Sequence, residues 1–449
     1  MEPPTTAARS EAVSTASGEQ PAVQKPFSSR RQLIAAAVGN VVEWYDWAVY
    51  SMAAVFFSAH FFPSTSENSL VPLLATLGVF AVGFFMRPIG GLFIGYLADL
   101  HGRKRALSLT IVLMGIGSLV IGLAPTYESI GVLAPVLLVL ARLLQGLSTG
   151  GEYTAAATFM VESAPSGKRG FFSSFLYVGA LLGNLLAIGV ISALLFGLGE
   201  DAMRDWAWRL VFIFGGFASV VGFLIRKYAH ETHVLEQEPI SDEPSAAARP
   251  RMFDFLRSHP RECLTIVGLN LAAAAIYYMW TSFLPTYAKL TTGFDLSQGY
   301  LVSAIALAYF IAIQPIVGSI SDRFGRKPVL IAFAGGFALA VIPMLNFVGN
   351  SFVSLLVVQL LGFTLLAGWT ATSAAVMVEL FPARIRAAGI GFPYAMTVAV
   401  FGGTAPYFVT WLIDGDLTAW VGIYLAVLAV ISLICIVSMK ETSRIELPK

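Results

Sequence analysis

Gly318-Ser319-Ile320-Ser321-Asp322-Arg323-Phe324-Gly325-Arg326-Lys327 is a near copy of Gly95-Tyr96-Leu97-Ala98-Asp99-Leu100-His101-Gly102-Arg103-Lys104, and both stretches read G-x-x-x-D-x-x-G-R-K. Each copy closes a long apolar run with a short basic turn, after which another apolar run begins. That is the pattern of a hairpin between two membrane helices, and its recurrence predicts a chain built from two similar halves. A second motif recurs in the same order: Glu162-x-x-Pro165-x-x-x-Arg169 in the first half and Glu379-x-x-Pro382-x-x-x-Arg386 in the second.

The composition agrees. Hydrophobic residues make up 57% of the chain and charged residues 12%, whereas about a quarter of an average soluble protein is charged. At about 20 apolar residues per crossing, twelve segments qualify, six before residue 228 and six after residue 262. The expected class is an all-α polytopic membrane protein with twelve transmembrane helices in two pseudo-symmetric six-helix bundles. Residues 1–30, rich in Ser, Thr, Ala and Pro, lack the apolar stretch of a signal peptide and read as a disordered cytoplasmic tail. Residues 31–227 form the N-terminal bundle, 228–262 an acidic, proline-containing cytoplasmic linker, 263–440 the C-terminal bundle and 441–449 a second cytoplasmic tail. Most of the 28 Lys and Arg residues gather in the tails, in the linker and at alternate helix ends. Retention of basic residues inside then puts both termini in the cytoplasm. A net charge of +1 offers no basic surface for nucleic acid. Cys263 and Cys435 have no metal-ligand spacing and are expected to be unpaired.

Through its G-x-x-x-D-x-x-G-R-K loops the chain resembles the major facilitator superfamily. It resembles the metabolite:proton symporter family more narrowly, through Gly39-Asn40-Val41-Val42-Glu43-Trp44-Tyr45-Asp46, Phe85-Met86-Arg87-Pro88-Ile89-Gly90-Gly91, Arg142-Leu143-Leu144-Gln145-Gly146 with Gly150-Gly151-Glu152-Tyr153, and Trp206-Ala207-Trp208-Arg209. The resemblance runs from about residue 31 to 440 and is nearest to the alpha-ketoglutarate permease type, with the proline/betaine type next. It implies proton-coupled import of a small carboxylate, such as alpha-ketoglutarate or another dicarboxylate, by alternating access. The rivals are a proton symporter for a zwitterionic solute and, in another class, a channel or uncoupled facilitator. The implied setting is the cytoplasmic (inner) membrane of a bacterium. The implied partners are an organic acid or zwitterion, protons and the lipid bilayer, for a functional monomer with no cofactor beyond the coupling proton. No Ser-His-Asp, H-E-x-x-H or Walker pattern is present, so no catalytic or metal-binding residue is assigned.

Five charges fall deep in predicted spans: Glu43, Asp46, Arg87, Arg142 and Glu152. Each costs about 2.5 to 3.5 kcal/mol at a helix centre, so each should face the bundle interior or a wet cavity. Three acids against two arginines leave one carboxylate without a full partner, which makes Asp46, Glu43 and Glu152 the candidates for proton coupling. Glu43 and Asp46, three residues apart, share a helix face and repel when both are ionised. Arg142 is the leading substrate contact, because a guanidinium grips a carboxylate through two parallel hydrogen bonds; the competing reading is a fixed pair with Asp46. Arg87, ahead of Pro88 and two glycines, either joins it or braces a close helix crossing. No charge lies between Lys327 and Glu379 or between Arg386 and Asp414. The second half is therefore expected to meet substrate through neutral groups, and the resemblance adds Tyr50, Tyr177, Asn184, Tyr278 and Trp369 to the binding set. Gly95, Asp99, Arg103, Glu162, Arg169, Gly318, Asp322, Arg326, Glu379 and Arg386 are the candidate gating residues, meeting across the cytoplasmic face when that side is shut.

Overall fold

The computed structural model describes residues 30–64, 69–101, 103–149, 152–228, 254–383, 385–443 and 445. The side chains of Gly95, Asp99, Arg103 and Glu152 lie outside the described residues, as do residues 1–29 of the expected tail and 229–253 of the expected linker.

The described residues are all helix and turn. Spans 1 to 6 are Arg30–Phe61, Val71–His101, Arg103–Leu123, the pair Leu133–Ser148 with Glu152–Glu162, Arg169–Ala202, and Trp208–Tyr228. Span 7 comprises Pro260–Tyr278, a π turn at Met279–Phe283, and Leu284–Thr292; spans 8 and 9 are Leu296–Phe324 and Arg326–Asn346. Span 10 is the pair Phe352–Thr370 with Ser373–Leu380. Span 11 comprises Arg386–Thr397, a π turn at Val398–Gly403, and Ala405–Asp414, and span 12 is Ala419–Ser438. Nine helices among the described residues are long and apolar enough to cross a membrane, one of them, Arg169–Ile225, holding spans 5 and 6. Span 3 adds the shorter apolar stretch Ser108–Leu123. Span 1 is diluted by Glu43, Tyr45, Asp46 and Tyr50, which a membrane accepts only on faces turned into protein. Phe217, Leu339 and Ile434 turn outward with 65–84% of their surface open, an arrangement suited to lipid rather than water.

The two halves are built alike. Contacts between spans 1 and 5, 1 and 6, 2 and 4, and 3 and 6 recur as 7 and 11, 7 and 12, 8 and 10, and 9 and 12. Span 10 is interrupted after Thr370, and the first helix of span 4 ends at Ser148, the equivalent place in the other half. Ala371 and Thr372, at the break in span 10, are fully enclosed in protein, as interrupted backbone at such depth requires.

Small residues set the closest approaches. A Cβ on Gly146 of span 4 would stand 2.1 Å from the Gly83 carbonyl of span 2, and one on Gly90 would stand 2.3 Å from that of Leu147. This backbone-to-backbone packing is the usual source of attraction between helices in lipid. The halves meet mainly along spans 5 with 8 and 2 with 11, the two equivalent pairs under the internal symmetry. The turn between spans 8 and 9 is a single residue, Gly325, at φ 105°, a conformation that strains any residue with a Cβ.

Candidate functional site

Span 1 carries the acid and its surroundings. Asp46 is 1% exposed. Its Oδ1 accepts a 2.6 Å hydrogen bond from Ser118 of span 3, whose hydroxyl in turn accepts from Gln145 Nε2 of span 4 at 2.9 Å. Gly215 of span 6 makes room for the carboxylate, since a Cβ there would stand 2.4 Å from Asp46 Oδ1. Asp46 Oδ2 has no hydrogen-bond partner among the described residues. Glu43 is half-buried one turn nearer the basic end of the bundle, in a cleft with Val42, Thr110, Ser148 and Ser219. The two acids do share a face, against spans 3, 4 and 6.

Both membrane arginines stack on aromatic rings. The Arg142 guanidinium is wholly buried, 3.6 Å over the centroid of Tyr50 and 5.6 Å from that of Trp47. None of its three nitrogens has a group in hydrogen-bonding geometry among the described residues. The expected alternative, a direct ion pair with Asp46, is not formed among those residues. Arg87 lies 4.0 Å over Trp47 and 4.1 Å over Phe84, with its Nε likewise unpartnered. Trp47 is held by its own Nε1, which donates to Thr149 Oγ1 at 3.0 Å. Cation–π contact of this kind contributes about 2 kcal/mol when desolvated. A buried guanidinium without acceptors costs several kcal/mol, which such contact offsets only in part.

Between the halves lies a chain of rings. Phe84 meets Tyr278 at 5.0 Å, Tyr278 meets Tyr277 at 5.3 Å, and Tyr277 meets Tyr177 at 5.9 Å. Tyr177 touches both Trp369, at 5.2 Å, and Tyr153, at 6.3 Å, and Tyr153 stacks flat on Tyr394 at 4.2 Å. Asn184 donates to the Tyr277 hydroxyl at 3.2 Å. The Tyr153 and Tyr278 hydroxyls, Trp369 Nε1 and Ser373 Oγ are buried polar atoms with no hydrogen-bond partner among the described residues. Each orphan donor costs about 1 to 3 kcal/mol unless something else satisfies it, so the lining is suited to a polar guest. Tyr50 faces Arg142 rather than these rings, and its hydroxyl donates to the Thr76 carbonyl at 3.1 Å.

At the basic end the two halves are tied together. Asp322 accepts from the backbone N–H groups of Gly170 and Phe171, both at 2.8 Å, and so caps the first turn of span 5 from the other half. Arg326 donates to Asp322 at 2.8 Å and lies 3.5 Å from Glu379, which is itself 3.6 Å from Arg169. Arg386 pairs with Glu162. Gly318 permits the approach, since its Cβ would stand 2.5 Å from the Gly170 carbonyl. The residues just past span 12 join in. Glu441 accepts from the N–H groups of Arg326 and Lys327, both at 2.9 Å, and Thr442 donates to Glu379 at 2.6 Å. Burial works against the Glu441 carboxylate, but backbone donors from Ser443, Arg326 and Lys327 outweigh it and hold its pKa below the usual range.

At the opposite end Tyr300 of span 8 donates to the Met52 carbonyl of span 1 at 2.6 Å, with its ring 6.4 Å from Phe56. The halves thus touch at both ends. Tyr300→Phe removes one hydrogen bond worth about 0.5 to 1.5 kcal/mol and is expected to speed labelling of a cysteine at the buried position Ala53 by roughly 2- to 12-fold. An unchanged rate would show that this contact does not hold that end shut.

Of the expected residues, the structure gathers Asp46, Arg87 and Tyr50 around Arg142, sets Tyr177, Asn184, Tyr278 and Trp369 along the chain of rings, and brings Glu162, Arg169, Gly318, Asp322, Arg326, Glu379 and Arg386 to one end. Sequence reasoning overlooked Trp47, Ser118, Tyr153, Tyr394, Tyr300 and Glu441. Only Tyr153, at the end of the Gly150-Gly151-Glu152-Tyr153 motif, carried a signal in the chain itself.

The sequence matches the family described as sugar (and other) transporter over residues 32–449. It is 38% identical over 377 residues to the alpha-ketoglutarate permease of Escherichia coli strain K12, covering 84% of this chain and 85% of that one. It is 34% identical over 427 residues to the proline/betaine transporter of Salmonella typhimurium strain LT2, covering 92% and 84%. The fold matches the crystal structure of a D-xylose-proton symporter with a TM-score of 0.70 at 19% identity, over 92% of this chain and 98% of that one. It matches the Escherichia coli xylose transporter in a partially occluded inward-open conformation with a TM-score of 0.68 at 18% identity, over 93% and 99%. At such identity the likeness speaks for the fold alone.

Proposed function

The chain belongs to the sugar (and other) transporter family, whose members it resembles are membrane transporters rather than enzymes, and on that premise we propose that it is a symporter coupling proton entry to uptake of a small carboxylate by alternating access. The observation that carries this reading is Asp46, a carboxylate buried within the first bundle with one oxygen bound to Ser118 and the other unpartnered among the described residues. A free carboxylate oxygen away from water is a place to hold a proton. Ionised, Asp46 supplies negative charge for the Arg142 region; protonated, it withdraws that charge and leaves the buried cations in need of an anion. A proton and an anionic substrate then favour each other's binding by linkage. Each net positive charge carried inward is driven by about 2.3 kcal/mol per 100 mV.

Alpha-ketoglutarate or a related dicarboxylate is the first substrate class, on the strength of the 38% identity to the permease of that name. A zwitterion such as proline or betaine is the second, favoured by the aromatic, uncharged residues that the second half brings to the seam, as cation–π recognition of a quaternary amine requires. We place the basic end in the cytoplasm of a bacterium by the positive-inside rule, with the Asp322 and Glu379 contacts as the gate on that side. Uptake of labelled 2-oxoglutarate and of labelled betaine into proteoliposomes, with and without an inward proton gradient, tests both classes. Accumulation of one of them only under the gradient is the expected result, and gradient-independent uptake of both would refute proton coupling.

A further inference from the structure

We infer that Arg87, and not Arg142, is the cation that receives the substrate's carboxylate, the two arginines dividing substrate binding and proton coupling between them; this rests on the symporter reading above.

Alternating access requires the substrate to touch both halves, because the site lies where they meet and each half must sense its occupancy. Among the described residues, the contacts given for the Arg142 guanidinium are with the first half. Its guanidinium rests on Tyr50, whose ring packs against Phe57, Phe80 and Phe212, and none of its surface is open. Asp46 is its acidic neighbour on span 1. Arg87 has the other environment. It lies on Phe84, whose ring meets Tyr278 of span 7 and fills the space beside Gly403 of span 11, where a Cβ would stand 2.6 Å from Phe84 Cγ. Arg87 is thus beside two spans of the second half and within electrostatic reach of Tyr278 itself. Arg87 is also 9% exposed where Arg142 is fully enclosed.

The Tyr278 hydroxyl, which has no hydrogen-bond partner in good geometry among the described residues and lies within reach of Arg87, provides a neutral donor for the same guest. Farther along the ring chain, Trp369 Nε1, Ser373 Oγ and the Tyr153 hydroxyl offer more donors and no acceptor charge. A molecule with its carboxylate at Arg87 and its remaining polar atoms toward Tyr278 and Trp369 satisfies these donors without reaching Arg142. The substrate class is then a compact molecule with at least one carboxylate, held by one fixed cation and neutral aromatic donors.

The test compares Arg87→Gln, Arg87→Lys, Arg142→Gln and Arg142→Lys in proteoliposomes, with labelled 2-oxoglutarate, succinate, proline and betaine as probes. Two readouts separate the roles: the KM of equilibrium exchange, which needs no gradient, and accumulation driven by a pH gradient. Loss of a charge-assisted, forked hydrogen bond is expected to raise the exchange KM of Arg87→Gln by roughly 10- to 150-fold. Arg87→Lys, which keeps the charge without the fork, should fall in between and decides the point if the Gln variant does not fold. Arg142→Lys and Arg142→Gln should raise the exchange KM by less than Arg87→Lys and Arg87→Gln do, while losing gradient-driven accumulation and the pH dependence of uptake. An exchange KM raised as far in the Arg142 variants as in the Arg87 variants, or an unchanged KM in the Arg87 variants, overturns the assignment and leaves the symporter reading standing. Failure of the unmutated protein to move any of the four probes overturns both.

Discussion

Asp46→Asn is expected to reduce the accumulation ratio under a pH gradient of two units from about 100 to about 1, because a gradient of one unit stores about 1.4 kcal/mol, a factor of ten. Exchange of substrate without a gradient should survive. The Asn side chain has the shape of the carboxylate, and its amide oxygen can still accept from Ser118, which already receives a hydrogen bond from Gln145. The new NH₂ replaces Oδ2, the oxygen that has no hydrogen-bond partner among the described residues. What disappears is the carboxylate proposed to take up and release the proton. The measurement is labelled uptake in proteoliposomes at fixed internal pH with the external pH varied; the Asn variant should give a flat profile. Retained accumulation would move the proton to Glu43 or Glu152.

Asp322→Ala is expected to open the basic end. It removes the acceptor for two N–H groups at the start of span 5 and strips Arg326, itself 1% exposed, of its 2.8 Å partner. Arg326 keeps Ser321 at 2.6 Å and Glu379 at 3.5 Å, so the cost falls below the about 3 to 5 kcal/mol of a buried charge left wholly uncompensated. The state open at that end escapes the cost, because water then reaches Arg326. The population should therefore shift toward it by on the order of 10-fold or more. A cysteine at Ala371, buried in the closed end where its carbonyl accepts from Ser173, reports this by its labelling rate once Cys263 and Cys435 are replaced by Ser. Asp322→Asn should have a smaller effect, as its amide oxygen still caps one N–H. Equal labelling of Asp322→Ala and the unmutated protein would show that Asp322 is structural only.

Much of this arrangement was legible in the chain. Long apolar runs could only be helices in a membrane, because backbone groups there must bond within their own segment. Two copies of one basic turn announced the internal symmetry that the matched helix contacts display. The candidate gating residues could be grouped beforehand because their motifs lie at helix ends, which the topology brings to one side. The deep charges could be singled out because lipid penalises them wherever they point.

The remainder depended on neighbours far away in sequence. Arg87 and Arg142 are indistinguishable as letters, and only the rings beneath them, Phe84 reaching the second half and Tyr50 enclosed in the first, tell them apart. Asp322 was readable as a partner for Arg326 four residues on, but not as the cap on Gly170 and Phe171, since backbone donors carry no signature in sequence. The same holds for Tyr300 on the Met52 carbonyl and Glu441 on the first turn of span 9. The sequence by itself determined that this chain crosses a bilayer as two like halves and which few charges it keeps there, because hydrophobic burial and charge desolvation depend on local composition. Only the tertiary structure decided which partner each of those charges meets, because hydrogen bonds and ring contacts act over a few ångströms between residues that the fold alone makes neighbours.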